Sequence, residues 1–236
     1  MVCPPLPNSK AINSQQAMVF RVGHLGTQYW DWVERPEPGQ PRFFDNSLLE
    51  ACSKTPWWLV PLLWVPLFST CMYLAQQAHQ ISWPGLATYL VLGVLAWQLL
   101  EYVIHRFVFH ASMTSYWGIT LHFLFHGCHH KYPSDLLRLV FPPVPASLLV
   151  AAVYVALHSL LPSCHALPLF GGMGLGYVAY DVLHYLVHCT ASKRLPGVLQ
   201  QLRRRHLEHH FRDHSRGYGI SSPMYDVLFM TRSVRL

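Results

Sequence analysis

The chain has 236 residues, of which 52% are hydrophobic and only 12% charged, with a formal net charge of +6. Soluble domains carry roughly 25% charged residues, so an ordinary water-soluble enzyme of this length is excluded, as is a disordered or fibrous chain. Six cysteines are scattered without a C-x-x-C pair, which indicates neither a disulfide framework nor a zinc ribbon and leaves reduced thiols as the expectation.

Residues 1–55 are polar and proline-rich and lack the charged start and apolar core of a signal peptide, so they form a cytosolic N-terminal segment. Apolar runs follow over 56–78 and 83–104, and again over 139–161 and 167–189. Each is long enough to supply the ~20 residues that a helix needs to cross a bilayer. The link within each pair is very short, which predicts two helical hairpins. Five basic residues precede the first hairpin, three (Arg106, Lys131 and Arg138) lie between the hairpins and nine follow the second. None lies in a tight turn, so by the positive-inside rule both termini are cytosolic.

The expected architecture is an all-α integral membrane protein with four transmembrane helices in two hairpins. Residues 56–236 form the membrane domain, in which 105–138 and 190–236 build a cytosolic helical cap. Pro142, Pro143 and Pro145 interrupt the third run, and the fourth carries Asp181, His184 and His188. A partly re-entrant second hairpin is therefore the alternative. Gly171, Gly172, Gly174 and Gly176 in the fourth run predict close helix packing. The basic residues flank membrane segments, which points to lipid head groups and an acidic protein partner and away from nucleic acid.

Sixteen histidines against eleven carboxylates is the anomaly, because histidine is the commonest metal ligand. They cluster as His105 and His110 after the second run, and as His122, His126, His129 and His130 in the following connection. His184 and His188 end the fourth run, and His206, His209 and His210 lie in the basic tail. Positions i, i+3 and i+4 share a helix face, so each triplet, His126/129/130 and His206/209/210, is expected to offer its imidazoles to one point. The separation of His105 and His110 is not a helical repeat, which predicts that the pair straddles the helix end with His110 beyond it. His24, His79, His158 and His165 have no partner at ligand spacing and read as ordinary histidines.

Both halves of the chain thus deliver a pair and then a triplet of imidazoles to one membrane boundary, and metal binding is the expectation. Ten ligands are too many for one tetrahedral zinc and suit two five-coordinate ions. Imidazole accommodates iron and zinc alike. Iron is expected in the active protein, because two adjacent redox ions can activate dioxygen, and zinc can occupy the same cage after purification. Glu101, Asp181 and Glu208 sit close enough in sequence to ligands to accept a histidine N–H and fix its tautomer.

The surrounding residues carry a resemblance. Phe20-Arg-Val-Gly-His-Leu-Gly26, Pro41-Arg-Phe-Phe44, Glu101-Tyr-Val-Ile-His-Arg-Phe-Val-Phe-His110, His126-Gly-Cys-His-His130, Arg138-Leu-Val-Phe-Pro-Pro143 and Gly217-Tyr-Gly-Ile-Ser-Ser222 together cover much of the chain. They resemble the fatty acid hydroxylase superfamily of histidine-rich membrane oxygenases, and within it the plant-type fatty acid 2-hydroxylases.

The resemblance implies an endoplasmic reticulum enzyme that uses O2 to place a hydroxyl on C2 of very-long-chain acyl groups in ceramide or dihydroceramide. It implies ten metal ligands at His105, His110, His126, His129, His130, His184, His188, His206, His209 and His210, with His122 as a reserve ligand or a supporting group. Some members carry a fused cytochrome b5 domain. Residues 1–55 are too few for that haem module and contain only His24, so a separate cytochrome b5 is the expected electron donor. The rival readings are another histidine-box lipid oxygenase, a sterol oxidase or desaturase, and a non-enzymatic zinc-binding membrane scaffold.

Overall fold

The computed structural model describes residues 12–233; residues 1–11, with Cys3, and residues 234–236 lie outside the described residues. Every regular element among the described residues is helical. The N-terminal segment folds into short helices α1 (Val19–Val22), α2 (Tyr29–Val33) and α3 (Ser47–Cys52), the last capped by the Asn46 side chain, which accepts the Leu48 and Leu49 N–H groups. The first hairpin is α4 (Leu59–His79) and α5 (Trp83–Ile104), joined where Gln80 turns left-handed at φ 51° and Ser82 caps the second helix. The cap begins with a π-helical turn at His105–Phe109, then α6 (Tyr116–His122), a second π turn at Phe123–Gly127, and α7 (Cys128–Lys131). The second hairpin is α8 (Pro143–Leu160) and α9 (Ser163–Cys189), followed in the cap by α10 (Gly197–Phe211) and α11 (Met224–Leu228).

Four helices, α4, α5 with its π extension, α8 and α9, are long and apolar enough to cross a membrane. Pro142, Pro143 and Pro145 do not interrupt α8, because all three lie at its N-cap or in its first turn. Pro142 is its N-cap and Pro143 its first residue, where a missing N–H costs nothing and a fixed φ favours helix entry. The third apolar run therefore becomes helical only at residue 143; Leu139 and Val140 form a bend, and Val140 and Phe141 pack against the spans.

α9 is the hub of the bundle. Its glycines lie where neighbouring helices approach too closely for a Cβ. At Gly174 a methyl would collide with the Phe68 ring of α4, and at Gly172 it would lie 2.6 Å from the Tyr89 carbonyl and 3.1 Å from the Leu90 Cα of α5. This agrees with the packing expected from the glycine run.

Residues 12–55 are not a separate unit. Met18, Val22, Tyr29, Trp32 and Phe43 form one buried apolar cluster with Ile119, Phe123 and Cys128 of the cap. Two buried cations fasten the same surfaces. Lys131 Nζ donates to the Arg35 carbonyl and to Glu37, both at 2.7 Å, and lies over the Trp32 ring. Arg138 bonds Asp135 at 2.6 Å, Glu50 at 2.8 Å and the Pro41 carbonyl at 3.0 Å, with the Phe43 ring beneath it. A buried charge is tolerable only when paired in this way.

Candidate metal centre

The ten predicted imidazoles come together in the cap as two groups of five, His105, His110, His126, His130 and His209 in one, and His129, His184, His188, His206 and His210 in the other. Within each group, one nitrogen from every ring lies within 4.8 Å of the other four. This corrects the expectation that each triplet converges on one point. His126 and His130 serve the first group while His129 serves the second, and His206 and His210 serve the second while His209 serves the first. The cause is helical geometry: positions i and i+4 nearly superimpose, whereas i+3 and i+4 diverge by about 100°. Adjacent histidines therefore point to different centres.

His110 is the first residue past the helix end, as expected, and only the reading of its spacing from His105 is corrected. The His110 N–H bonds the His105 carbonyl at 3.1 Å, an i to i+5 bond of a π turn, and this wider turn returns His110 to the side of His105. Five-residue spacing is a helical repeat here, of a rarer helix.

The donor set fits metal cations. Nε2 of His184 lies 2.8 Å from Nε2 of His129 and 3.1 Å from that of His206, and His188 and His206 approach at 2.7 Å. In the first group, His130 and His126 are 2.9 Å apart and His126 and His110 3.2 Å. Metal–imidazole bonds of 2.0–2.1 Å at right angles give nitrogen separations of roughly 3.0 Å. His209 Nε2 and both nitrogens of His210 are buried with no hydrogen-bond partner. Burial, reinforced by neighbouring imidazoles, holds His126, His129, His130, His206, His209 and His210 well below the usual histidine range. They are neutral near pH 7, with lone pairs free for a cation.

The carboxylates expected to accept a histidine N–H do something else. Glu101 accepts the N–H groups of Ile220 at 2.6 Å and Ser221 at 2.9 Å, and Asp181 accepts the Phe141 N–H and the Tyr177 hydroxyl. Glu208 accepts from Ser233 at 2.9 Å. The imidazoles instead donate to backbone carbonyls: His105 Nδ1–H to Tyr218 at 2.6 Å and His209 Nδ1–H to Arg216 at 2.8 Å. Both carbonyls belong to the 216–222 loop. Glu101 holds its far end, and Asp226 its centre through the Tyr218 and Gly219 N–H groups. Glu101 and Asp226 thus act one step further out, by fixing the loop that fixes His105 and His209.

His122 belongs to neither group. Its Nε2 lies 2.6 Å from the Phe109 carbonyl at the end of the first π turn, and its Nδ1 lies 2.6 Å from the Tyr29 hydroxyl. The carbonyl can only accept, so Nε2 carries the proton and Nδ1 accepts from Tyr29. A Cβ at Gly127 would collide with that hydroxyl. Sequence reasoning gave no role to Tyr29, Asp226 or His214; the last lies with its ring 5.2 Å from that of His130. Spacing carries no signal for Tyr29, which comes from a distant segment, whereas His214 follows His210 by four residues and its spacing could have found it.

Two apolar cavities approach the histidines from the bundle. One of about 360 Å³ is lined by Phe125, His126, His129, His184, Phe141 and Val144 among others, and so touches both groups. The other, about 80 Å³, lies among Phe68, Trp97, Val150, Phe170 and Tyr177 of the spans. Phe109, Phe141 and Tyr180 border both.

A family model described as fatty acid hydroxylase matches residues 90–231. This chain belongs to the fatty acid hydroxylase family. It is an oxidoreductase, similar to a dihydroceramide fatty acyl 2-hydroxylase of Arabidopsis thaliana, with 40% identity over 93% of this chain and 92% of the relative. A fatty acid 2-hydroxylase of Rattus norvegicus is 41% identical over 93% of this chain and 64% of its own length. Among solved structures, full-length scs7p with only its hydroxylase domain visible superimposes with a TM-score of 0.87 at 31% identity, covering 98% of this chain and 90% of that one. The match of this family member extends through both hairpins and the cap.

Proposed function

We propose that the chain hydroxylates C2 of very-long-chain acyl groups carried in ceramide or dihydroceramide, with two metal ions held by the ten grouped histidines and electrons from a separate cytochrome b5. The observation that carries this reading is the larger apolar cavity, which runs from the bundle to both histidine groups at once. Iron is the metal of the active enzyme. When bound, the metal pair supplies the activation of dioxygen.

The protein's part is placement. The cavity walls of Phe109, Phe125, Phe141 and Val144 take up an acyl chain and exclude water. Beside the histidines, its lining carries the polar side chains of Ser53, Arg138 and Asp181, against which the carbonyl end of such a lipid stops. A chain anchored by its carbonyl end beneath the cap presents the adjoining methylene to the histidine groups, and a fixed near-attack geometry of that kind sets position selectivity. The smaller cavity between the spans continues the apolar path past Phe109, Phe141 and Tyr180, with room for only a few methylenes of the tail. The enzyme sits in the endoplasmic reticulum membrane with the cap and both termini cytosolic, in keeping with seventeen basic residues that avoid both tight turns.

The test is expression in cells lacking their own sphingolipid 2-hydroxylase, followed by mass spectrometry of ceramides. The 2-hydroxy species should appear with the wild type and not with His129→Ala. A hydroxyl at another carbon, a double bond, or no new product from membrane-inserted protein supplied with cytochrome b5 would sink the reading.

A further inference from the structure

A third concavity, of about 1060 Å³, opens on the cap and shares no lining residue with either apolar cavity. Its wall carries Arg203, Arg204, Arg205, Arg212 and Arg232 against, among the described residues, one carboxylate, Glu208. That carboxylate is already engaged, with Ser233 at 2.9 Å and Arg212 at 4.0 Å. Arg205 Nε is buried without a hydrogen-bond partner. The hollow is therefore cationic by composition and has donor capacity left over.

Within this basic wall lies an exposed aromatic. Phe211 is 52% exposed, and its ring centroid lies 6.1 Å from that of His210. α10, which forms the wall, also carries His206 and His210 of one histidine group and His209 of the other. An apolar contact ringed by one sign of charge is the anatomy of a docking face, and here it stands one residue from a metal-ligating position.

We infer that this hollow is the docking face for a small acidic one-electron carrier protein, which delivers electrons to the histidine groups through α10 at Phe211 and His210. The inference rests on the hydroxylase reading above. Hydroxylation of a methylene consumes one O2, two electrons and two protons: the C–H bond is replaced by C–O–H, and the second oxygen leaves as water. Two carrier molecules, each oxidised by one electron, balance the reaction, with the protons drawn from water. Opposite charge steers such a carrier and fixes its register. A concave wall with an aromatic floor fits a convex protein surface better than the plane of a bilayer.

The experiment uses the full chain in phosphatidylcholine nanodiscs with the soluble haem domain of a cytochrome b5 as probe. It measures the dissociation constant and the rate of reoxidation of the reduced haem under air with a ceramide substrate, at low and near-physiological salt. Binding of the wild type should weaken as salt rises. The double variant Arg204→Glu with Arg232→Glu should raise the dissociation constant by about tenfold or more and slow reoxidation, with melting temperature and metal content unchanged. Arg204→Lys and Arg21→Glu, the latter on the N-terminal segment, should bind as the wild type does.

Wild-type affinity in the double variant overturns the docking face. So does a loss that appears only in discs containing phosphatidylserine, which would make the hollow a lipid site. The two readings fail separately. Charge-dependent binding at this face with no 2-hydroxy product would refute the reaction, whereas 2-hydroxy product from a double variant that binds normally would refute the docking face alone.

Discussion

His129 and His130 are neighbours in sequence yet belong to different groups, and this divergence makes a sharp test of the site. A protein holding one ion per group should lose about one ion per chain when His129 is replaced by alanine. His129→Ala combined with His210→Ala should lose no more, because both residues serve the same group. His129→Ala combined with His130→Ala should empty both. A triplet converging on one centre would give the opposite order, and metal analysis of the purified variants decides between them. Tyr29 permits a second test. Burial pushes its hydroxyl well above the ordinary tyrosine range, so it stays protonated and donates to His122. Tyr29→Phe leaves His122 Nδ1 buried and unpaired, at a cost of about 1–3 kcal/mol. The melting temperature should fall while the metal content stays near that of the wild type. His122→Phe frees the carbonyl that ends the first π turn and should also deplete the first group, whose His110 is the next residue.

Among the elements, the four apolar helices were legible because twenty apolar residues leave few alternatives, and the ten histidines because two repeats of a pair and a triplet are improbable by accident. The π turns were not legible. An α and a π turn use the same residue types, and the choice at His105–Phe109 is made by packing that reaches in from His122 and Tyr218. The true partners of Glu101 were equally hidden, since Ile220 and Ser221 lie more than a hundred residues away. The cap elements also carry a pH dependence. Imidazoles held below the ordinary value of 6.5 bind fewer protons in the folded cap than in the unfolded chain. Folding stability is then full above about pH 6.5 and declines as the pH falls below it. Protonation also competes with metal ligation, so metal loss and cap unfolding should proceed together on acidification. Intrinsic tryptophan fluorescence and released metal, followed from pH 8 to about pH 4, should show one shared transition, and metal release without unfolding would separate the two effects.

In the whole molecule the two halves are interlocked, because each histidine group takes four members from one half of the chain and its fifth from the other. The first group needs His105 directly after α5, and the second needs His184 and His188 on α9. The relative position of these two helices therefore sets both centres at once, and Gly172 is where their backbones meet. A valine there would press on the Tyr89 carbonyl and the Leu90 Cα, atoms that cannot rotate away as a side chain can. Overpacking of this kind costs about 1–3 kcal/mol and pushes α9 from α5 by an ångström-scale shift. Each group tolerates little displacement, since its nitrogens already stand at metal-bridging separations. Gly172→Val should accordingly lower the melting temperature and the content of both ions in parallel, although it lies among the spans and contacts no histidine. Gly197→Ala, which meets nothing within 4 Å at the start of α10, should leave both unchanged. Loss of one ion with full retention of the other in Gly172→Val would show that the two centres are positioned independently.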